Sequence, residues 1–418
     1  MLDIRFIRKN PEKVKKGIRK KGKDVKIDLV LELDEKKRNL LKEIEKIRAE
    51  KNLASKEITR TKEKERIISR MKVLDREEGD LKKKIEEVEI KLNELLFQIP
   101  NLPLDEVPVG KSEKDNVVLG EVDQKPKFDF EPKSYLEIGE KMDLIDTKRA
   151  AKVVGTRFGY LKREAVLLEF ALINFTFDKL VKKGFIPIIP PVMMKSEMAR
   201  GMGYIEQLDR EEAYYLPQDD LYLAGTAEQP IGVMHANEIF EEKDLPRRYV
   251  GFSTCFRREA GSYGKDTKGI FRVHQFDKIE MFSFCHPEKS KEEHQFFLST
   301  EEEMMQDLKL SYRVVQMSTA DLGFPTASKY DIEAWFPSEK RYRETHSTSN
   351  CTDFQARRLN IRYKDSKAKK LEFVHTINGT AFAIGRTLIA IIENYQQKDG
   401  SIKVPEVLQK YTGFKEIK

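Results

Sequence analysis

Between Cys255 and Glu280 the chain reads CFRREAGSYGKDTKGIFRVHQFDKIE, a stretch dense in groups that hold anions and flat rings. Two strand-like runs, 249–257 and 271–284, enclose a loop that carries Gly261, Gly264 and Gly269 with Lys265 and Lys268. Side chains in a strand repeat every two residues, so alternation along the second run predicts Arg272, His274, Phe276 and Glu280 on one face. A guanidinium, an aromatic ring and a carboxylate are unsuited to an apolar core. They suit a ligand with a phosphate, a flat base and an ammonium or hydroxyl group, which describes ATP beside an amino acid. A charged hairpin with one solvated face accounts for the same residues with no ligand at all.

Three further blocks shift that balance. Residues 221–228 read LYLAGTAE, where a strand-like run ends on Gly225-Thr226-Ala227-Glu228. Residues 341–358 read RYRETHSTSNCTDFQARR. Residues 376–397 read TINGTAFAIGRTLIAIIENYQQ, where a strand-like run is expected to turn through Asn378-Gly379-Thr380 into an apolar helix carrying Arg386. Together with 255–280, the first and last of these blocks resemble motif 2, the amino-acid-binding loop and motif 3 of class II aminoacyl-tRNA synthetases, and in detail those of the seryl-tRNA synthetase family. The resemblance runs from MLDIRFIRKNPEKVKKGIRKKG at the start to GSIKVPEVLQKYTG near the end, with the blocks in the right order and at the right spacing.

The resemblance implies an ATP-dependent ligase that activates L-serine as an adenylate and transfers it to the 3′ end of serine tRNA, with selenocysteine tRNA as a second substrate. Two anions must then be brought together and charge on the α-phosphate stabilised. Arginine suits that work because its planar guanidinium holds two oxygens at once. By the resemblance Arg257 holds the α-phosphate and the amino-acid carboxylate, with Arg258 and Glu259 in the same ATP-contacting triplet. Phe276 stacks on adenine, Arg272 is a second phosphate contact beside Val273, and Arg386 meets the γ-phosphate. Glu344, Thr345, His346 and Ser347 form an ATP-contacting stretch in which Glu344, with Ser347, holds Mg2+. Strict alternation sends Glu344 and Ser347 to opposite faces, so a shared role requires a turn or a bulge between them.

For the amino acid, the resemblance assigns Thr226, Ala227 and Glu228 to the loop around the serine ammonium. Glu280 and Thr380 are assigned to its side-chain hydroxyl, and Asn378 also to the serine site. A site built to hydrogen-bond a hydroxyl rejects an analogue lacking one. Two departures from the bacterial pattern stand out. Asn378-Gly379-Thr380-Ala381 replaces NGSG, and His346 and Thr348 replace a serine and a cysteine of EISSCSN. His346 reads either as an ATP contact or as a surface residue. Arg386 admits a structural ion pair beside its phosphate role.

The elements that must position these residues are uneven in composition. Residues 1–99 carry 30 Lys and Arg against 21 Asp and Glu, so the basic excess sits at one end of a chain whose net charge is +7. That end is expected to meet a polyanion, although a long solvated helix also needs many charges. Within 36–99 a heptad seam is legible. Its first limb is Leu40, Ile44, Ile47, Ala54 and Ile58, interrupted by Lys51. Its second is Ile67, Met71, Leu74, Leu81, Ile85, Val88, Leu92, Leu95 and Ile99, broken once by Glu78. Such a repeat lets two helices bury a narrow stripe against each other, with TRTKEKER at 59–66 as the turn and Pro100 as the stop. An oligomerisation rod fits the pattern as well as an RNA-gripping hairpin does. The resemblance favours an arm that holds the long variable arm of tRNA by shape and phosphates.

Residues 1–33 are expected to form a short helical base, giving an N-terminal tRNA-binding domain over 1–105. Residues 106–132, part of a polar stretch with five prolines from Pro100 to Pro132, are expected to be a linker. Residues 133–418 mix helix-like and strand-like runs without regular βαβ alternation, which predicts an α+β catalytic domain on an antiparallel sheet. The segment GFIPIIPPVMMKSE at 184–197 resembles motif 1 and implies a homodimer interface. An edge strand broken by Pro187, Pro190 and Pro191 explains it equally. Cys255, Cys285 and Cys351 show no CxxC spacing and fit a reducing cytoplasm. No run of about 18 apolar residues supports a membrane span, and the scattered histidines offer no structural zinc site. Two other functions compete with tRNA ligation. A carrier-protein ligase has a similar site but lacks the arm, and a non-catalytic RNA-binding paralogue has no reason to keep Arg257, Glu344 and Arg386 together.

Overall fold

A computed structural model describes residues 1–58, 62–123, 125–205, 212–260, 266, 268–367 and 369–418. The loop residues Gly261, Gly264 and Lys265 and the first residues of the expected turn, 59–61, lie outside the described residues. The chain divides into two compact units, Met1–Pro100 and Asn101–Lys418.

The first unit is helical. Short helices α1 (Ile4–Lys9) and α2 (Pro11–Lys20) precede two long ones, α3 (Ile27–Glu57) and α4 (Lys64–Phe97). At 1.5 Å per residue, the long helices span about 46 and about 51 Å. The first limb starts earlier than the seam suggested, because residues 27–33 of the expected base already belong to α3. Ile27 and Val30 already bury an apolar face where α1 and α2 pack, together with Ile7, Val14 and Ile18. Along the hairpin Ile44, Ala54, Leu74, Ile85, Val88 and Leu92 are buried. The two polar interruptions of the seam meet each other. Lys51 Nζ lies 2.8 Å from Glu78 Oε2, and Arg48 and Lys82 reach the other oxygen at 3.2 and 2.8 Å.

The second unit is α+β. Its main sheet contains β1 (Val117–Val122), β2 (Ile186–Ile188), β3 (Arg247–Phe256), β4 (Gln275–Cys285), β5 (Tyr312–Gln316), β6 (Ser328–Phe336), β7 (Arg341–Thr352) and β8 (His375–Ala383). The spatial order is β1-β5-β6-β7-β8-β4-β3-β2. Every neighbouring pair is antiparallel except β2 on β3, where the edge strand runs parallel. Helices α5 (Glu164–Lys182), α8 (Ser290–Asp307) and α10 (Ile384–Asn394) cover one apolar face. The core there includes Leu168, Leu172, Phe297, Ile279, Met281, Leu388 and Ile391. Three shorter helices, α6 (Ser196–Met202), α7 (Glu228–Val233) and α9 (Phe354–Leu359), contribute to a second apolar cluster around Phe282 and Phe284.

Residues 106–132 are not a free linker. Val117 pairs with Gln316 and Val122 with Tyr312, so this segment supplies the first edge of the sheet. A β-branched run amid polar residues suffices for an edge strand, because neither of its faces needs to be apolar. The expected turn at 378–380 is also absent. β8 continues through Asn378-Gly379-Thr380 to Ala383, paired on one side with β4 and bulged once at Ala381. Gly379 serves close packing instead, since a β-carbon there would lie 2.8 Å from Glu301 Oε1 and 3.0 Å from the Phe297 ring.

Candidate active site

β3 ends before the charged loop and β4 begins after it, and their register puts Phe276 opposite Cys255 and Glu280 opposite Gly251. Beyond them, two adjoining cavities share a wall made of Arg257, Glu259, Arg272, Lys278, Lys329 and Ser347. The first also takes Val273, Phe276, Glu344, Thr345, Thr380 and Arg386. The second takes Thr226, Glu228, Glu280 and Asn378. Residues from five separate stretches of sequence therefore converge on one cleft.

The cationic cavity is built from strand ends and one helix start. Arg257 leaves β3 with its backbone N–H donating to His274 O at 2.9 Å. Its Nε donates to Gly225 O at 3.2 Å, and its guanidinium lies 5.3 Å from the Phe276 ring centre. Arg272 donates to Glu259 Oε2 at 2.6 Å, which fixes its fork at the wall. Arg386 sits in the first turn of α10 and donates to Glu344 O at 3.1 Å, with its guanidinium 4.8 Å from the Phe271 ring.

Of the turn or bulge that a shared role for Glu344 and Ser347 requires, the strand supplies a bulge. Glu333 pairs with Glu344 and Ile332 with His346, which leaves Thr345 as the extra residue and brings Glu344 and Ser347 to one cavity. Burial pushes the Glu344 carboxyl up, but the positive charges of Arg386, Lys329, Lys278 and Arg257 outweigh it and hold the group at about 2. Its side chain is nonetheless 44% exposed towards the cleft. It is an ionised, accessible carboxylate.

The second cavity holds two buried carboxylates. Glu280 accepts from Lys278 Nζ at 3.0 Å; burial raises its carboxyl, opposed by the charge of Lys278. Glu228 is pushed up to about 7, first by burial and then by the charge of Glu280. Just before α7, Thr226 Oγ1 accepts from the Glu228 N–H at 3.0 Å. Asn378 Nδ2 donates to Glu228 Oε1 at 3.0 Å.

Several expected site residues do not line the cleft. His274 is turned away because β4 begins only at Gln275, so alternation does not extend back to it; its Nδ1 pairs with Arg257 O at 3.0 Å. Arg258 lies against the Tyr214 ring at 5.5 Å. Ala227 is fully buried in the cluster with Ile231 and Phe282. His346 is neither at the surface nor at the cavity. β7 is an interior strand, so the side chain enters the core beside Phe382, where burial lowers the imidazole to about 3. Lys278 and Lys329 line both cavities and were missed. Lys278 fills the position between Phe276 and Glu280 in the same alternation, so its signal was in the sequence. Lys329 pairs with Asp331 at 3.0 Å and carries no local motif. The three cysteines are buried, and among the described residues no helix is long and apolar enough to cross a membrane.

Residues 1–103 match the seryl-tRNA synthetase N-terminal domain, and residues 214–395 match the class II tRNA synthetase core domain shared by the G, H, P, S and T enzymes. A serine–tRNA ligase of Pyrococcus horikoshii is 44% identical over 100% of this chain and 97% of its own length. The chain belongs to the seryl-tRNA synthetase family. The serine–tRNA ligase of Thermobifida fusca is 46% identical over 99% of this chain and 98% of its own. The crystal structure of the Pyrococcus horikoshii synthetase complexed with ATP superposes with a TM-score of 0.94 at 43% identity, covering 100% of this chain and 99% of that one. A Giardia lamblia prolyl-tRNA synthetase, 16% identical over 66% of this chain and 54% of its own with a TM-score of 0.57, shares the fold alone.

Proposed function

We propose that the protein is a serine–tRNA ligase that works in two steps. In the first, a carboxylate oxygen of L-serine attacks the α-phosphate of ATP, and the bond to pyrophosphate breaks. In the second, a ribose hydroxyl of the tRNA terminal adenosine attacks the seryl carbonyl and AMP departs. The observation that carries this reading is the shared wall of the two cavities. Arg257 faces a cationic cavity with a stackable ring on one side and a cavity with two buried carboxylates on the other. A guanidinium there can hold both reacting anions at once.

Within this reading Phe276 stacks on adenine, Arg272 holds phosphate, and Arg386 takes the γ-phosphate. Thr226 and Glu228 receive the ammonium of serine, while Glu280 and Thr380 receive its hydroxyl. Glu344 and Ser347 offer hard oxygen donors of the kind Mg2+ prefers, and Mg2+ commonly completes its shell with substrate phosphates and water. Bound there, it would neutralise charge on the phosphates. The hairpin of α3 and α4 grips serine tRNA, and selenocysteine tRNA by the same shape, in the cytoplasm.

A homodimer completes the reading. α5 exposes Leu167 and Phe170, and beyond the edge strand β2 Ile189 is 80% exposed. An apolar patch beside an open sheet edge favours a second copy over water. Amino-acid-dependent pyrophosphate–ATP exchange measured across the twenty amino acids tests the central claim. Serine should support exchange; a different amino acid supporting it in place of serine would overturn the assignment.

A further inference from the structure

Glu228 is held by more than the recognised motifs. Three side chains from three separate stretches of the chain donate to the same oxygen, Oε1: Tyr204 Oη at 2.7 Å, Asn378 Nδ2 at 3.0 Å and Gln355 Nε2 at 3.4 Å. We propose that Tyr204 and Gln355 are positioning residues for amino-acid recognition, fixing one oxygen of Glu228 so that the other is presented to the substrate ammonium. The inference rests on the amino-acid-activating function proposed above.

The local structure supports a built arrangement. α6 ends at Met202, and Gly203 adopts φ +89°, the left-handed turn that sends the chain back towards the cavity at Tyr204. A β-carbon at Gly203 would also lie 3.2 Å from the Phe354 ring. Gln355, in the first turn of α9, is fully buried with its amide held at both ends. Its oxygen accepts from Thr376 Oγ1 at 2.6 Å, and its nitrogen faces Met202 O at 3.4 Å. A carbonyl oxygen can only accept, so the NH2 end must be the one that reaches Glu228. A buried carboxylate needs such donors to ionise at all, because burial favours its neutral form.

The groups facing Glu228 differ in sign. Glu280 on β4 disfavours its charge; Lys278, also on β4, and the Tyr204 and Gln355 donors favour it. Cys351 on β7 is a further titratable neighbour, its Sγ 3.8 Å from Asn378 Nδ2, and Arg257, Arg272, Lys329, Glu259 and Glu212 line the same cavity. An ammonium ligand binds the ionised carboxylate, so affinity for the amino acid should rise with pH as Glu228 loses its proton. Removing a donor makes ionisation harder and moves that rise to higher pH.

The test is the pH profile of KM for serine in pyrophosphate exchange at saturating ATP. Tyr204→Phe keeps the ring and removes one donor. It should raise KM for serine about tenfold near neutral pH, shift the acid limb upward, and leave KM for ATP within about twofold. Gln355→Met should act in the same direction and serves if the Phe variant folds poorly. An unmoved acid limb, or parallel increases in both KM values, would overturn the proposal. If the wild type failed to use serine, the functional reading would fail separately. The same profile would then be run with whichever amino acid supports exchange, since each carries an α-amino group.

Discussion

At the scale of single residues, Arg257 faces both cavities and so should matter to both substrates. Arg257→Ala should slow serine-dependent pyrophosphate exchange at least about a hundredfold, comparable to removing one donor to developing charge. Exchange near the wild-type rate in that variant would remove the role assigned to it. Glu280 makes a sharper distinction. Its carboxylate lines the second cavity and pairs with Lys278. Glu280→Ala should therefore weaken the use of serine far more than that of ATP. A rise in KM for ATP alone would move Glu280 to the nucleotide cavity. Legibility varies among these residues for physical reasons. Phe276 and Glu280 were readable because a strand alternates, and Lys278 was equally readable between them. His346 was misread because the pattern of β7 alone does not reveal that strands lie on both its sides. Tyr204 and Gln355 left no signal, because their meeting at Glu228 depends on the packing of three stretches distant in sequence.

At the scale of elements, the heptad seam revealed both helices of the arm and both of its breaks, but not that the breaks are partners. Pairing Lys51 with Glu78 requires the register of an antiparallel hairpin, and that register depends on the length of the turn. Once paired, the contact disfavours slipped arrangements, which would bury one of these charges against an apolar residue. Hydrogen bonds from Lys51, then Lys82 and Arg48, lower the Glu78 carboxyl to about 2. An unfolded glutamate titrates near ~4.3. Because the folded value is the lower one, this stabilisation is present above ~4.3 and is lost as pH falls through about 2. Hydrogen exchange in α3 and α4 should accordingly quicken in acid, and Glu78→Gln should flatten that dependence. Glu78→Leu alone leaves the Lys51 ammonium in the seam and should exchange faster than wild type at neutral pH. The double variant Lys51→Leu, Glu78→Leu should recover protection. Equal protection in the single and double variants would show that the pair does not govern the hairpin.

At the scale of the whole molecule, the separation of a basic helical end from an α+β remainder was readable from charge and periodicity. The place of the division was not. Prolines between Pro100 and Pro132 suggested a linker, yet β1 in that stretch completes the sheet, and the first unit ends at Pro100. An edge strand carries little pattern of its own, because its hydrogen bonds to β5 decide its place. The same ion pairs that define the hairpin indicate where it can be cut. Lys37 Nζ lies 2.8 Å from Glu89 Oε1, so the two limbs are adjacent there. Asp34 is tied to Arg8 at 3.0 Å and to Arg38 at 3.1 Å. Deleting residues 40–87 and bridging Asn39 to Val88 should keep this base intact. Every residue proposed to hold ATP or serine lies in the second unit, so pyrophosphate exchange should remain largely intact. Charging of serine tRNA should collapse, since the lost lysines and arginines neutralise phosphates in the proposed grip. In the full-length protein, charging should also weaken steeply as salt rises, whereas exchange should respond only mildly. Exchange and charging measured side by side on the deletion separate the alternatives. Equal losses in both would make the arm a support for the catalytic unit, and undiminished charging would remove its proposed role in holding tRNA.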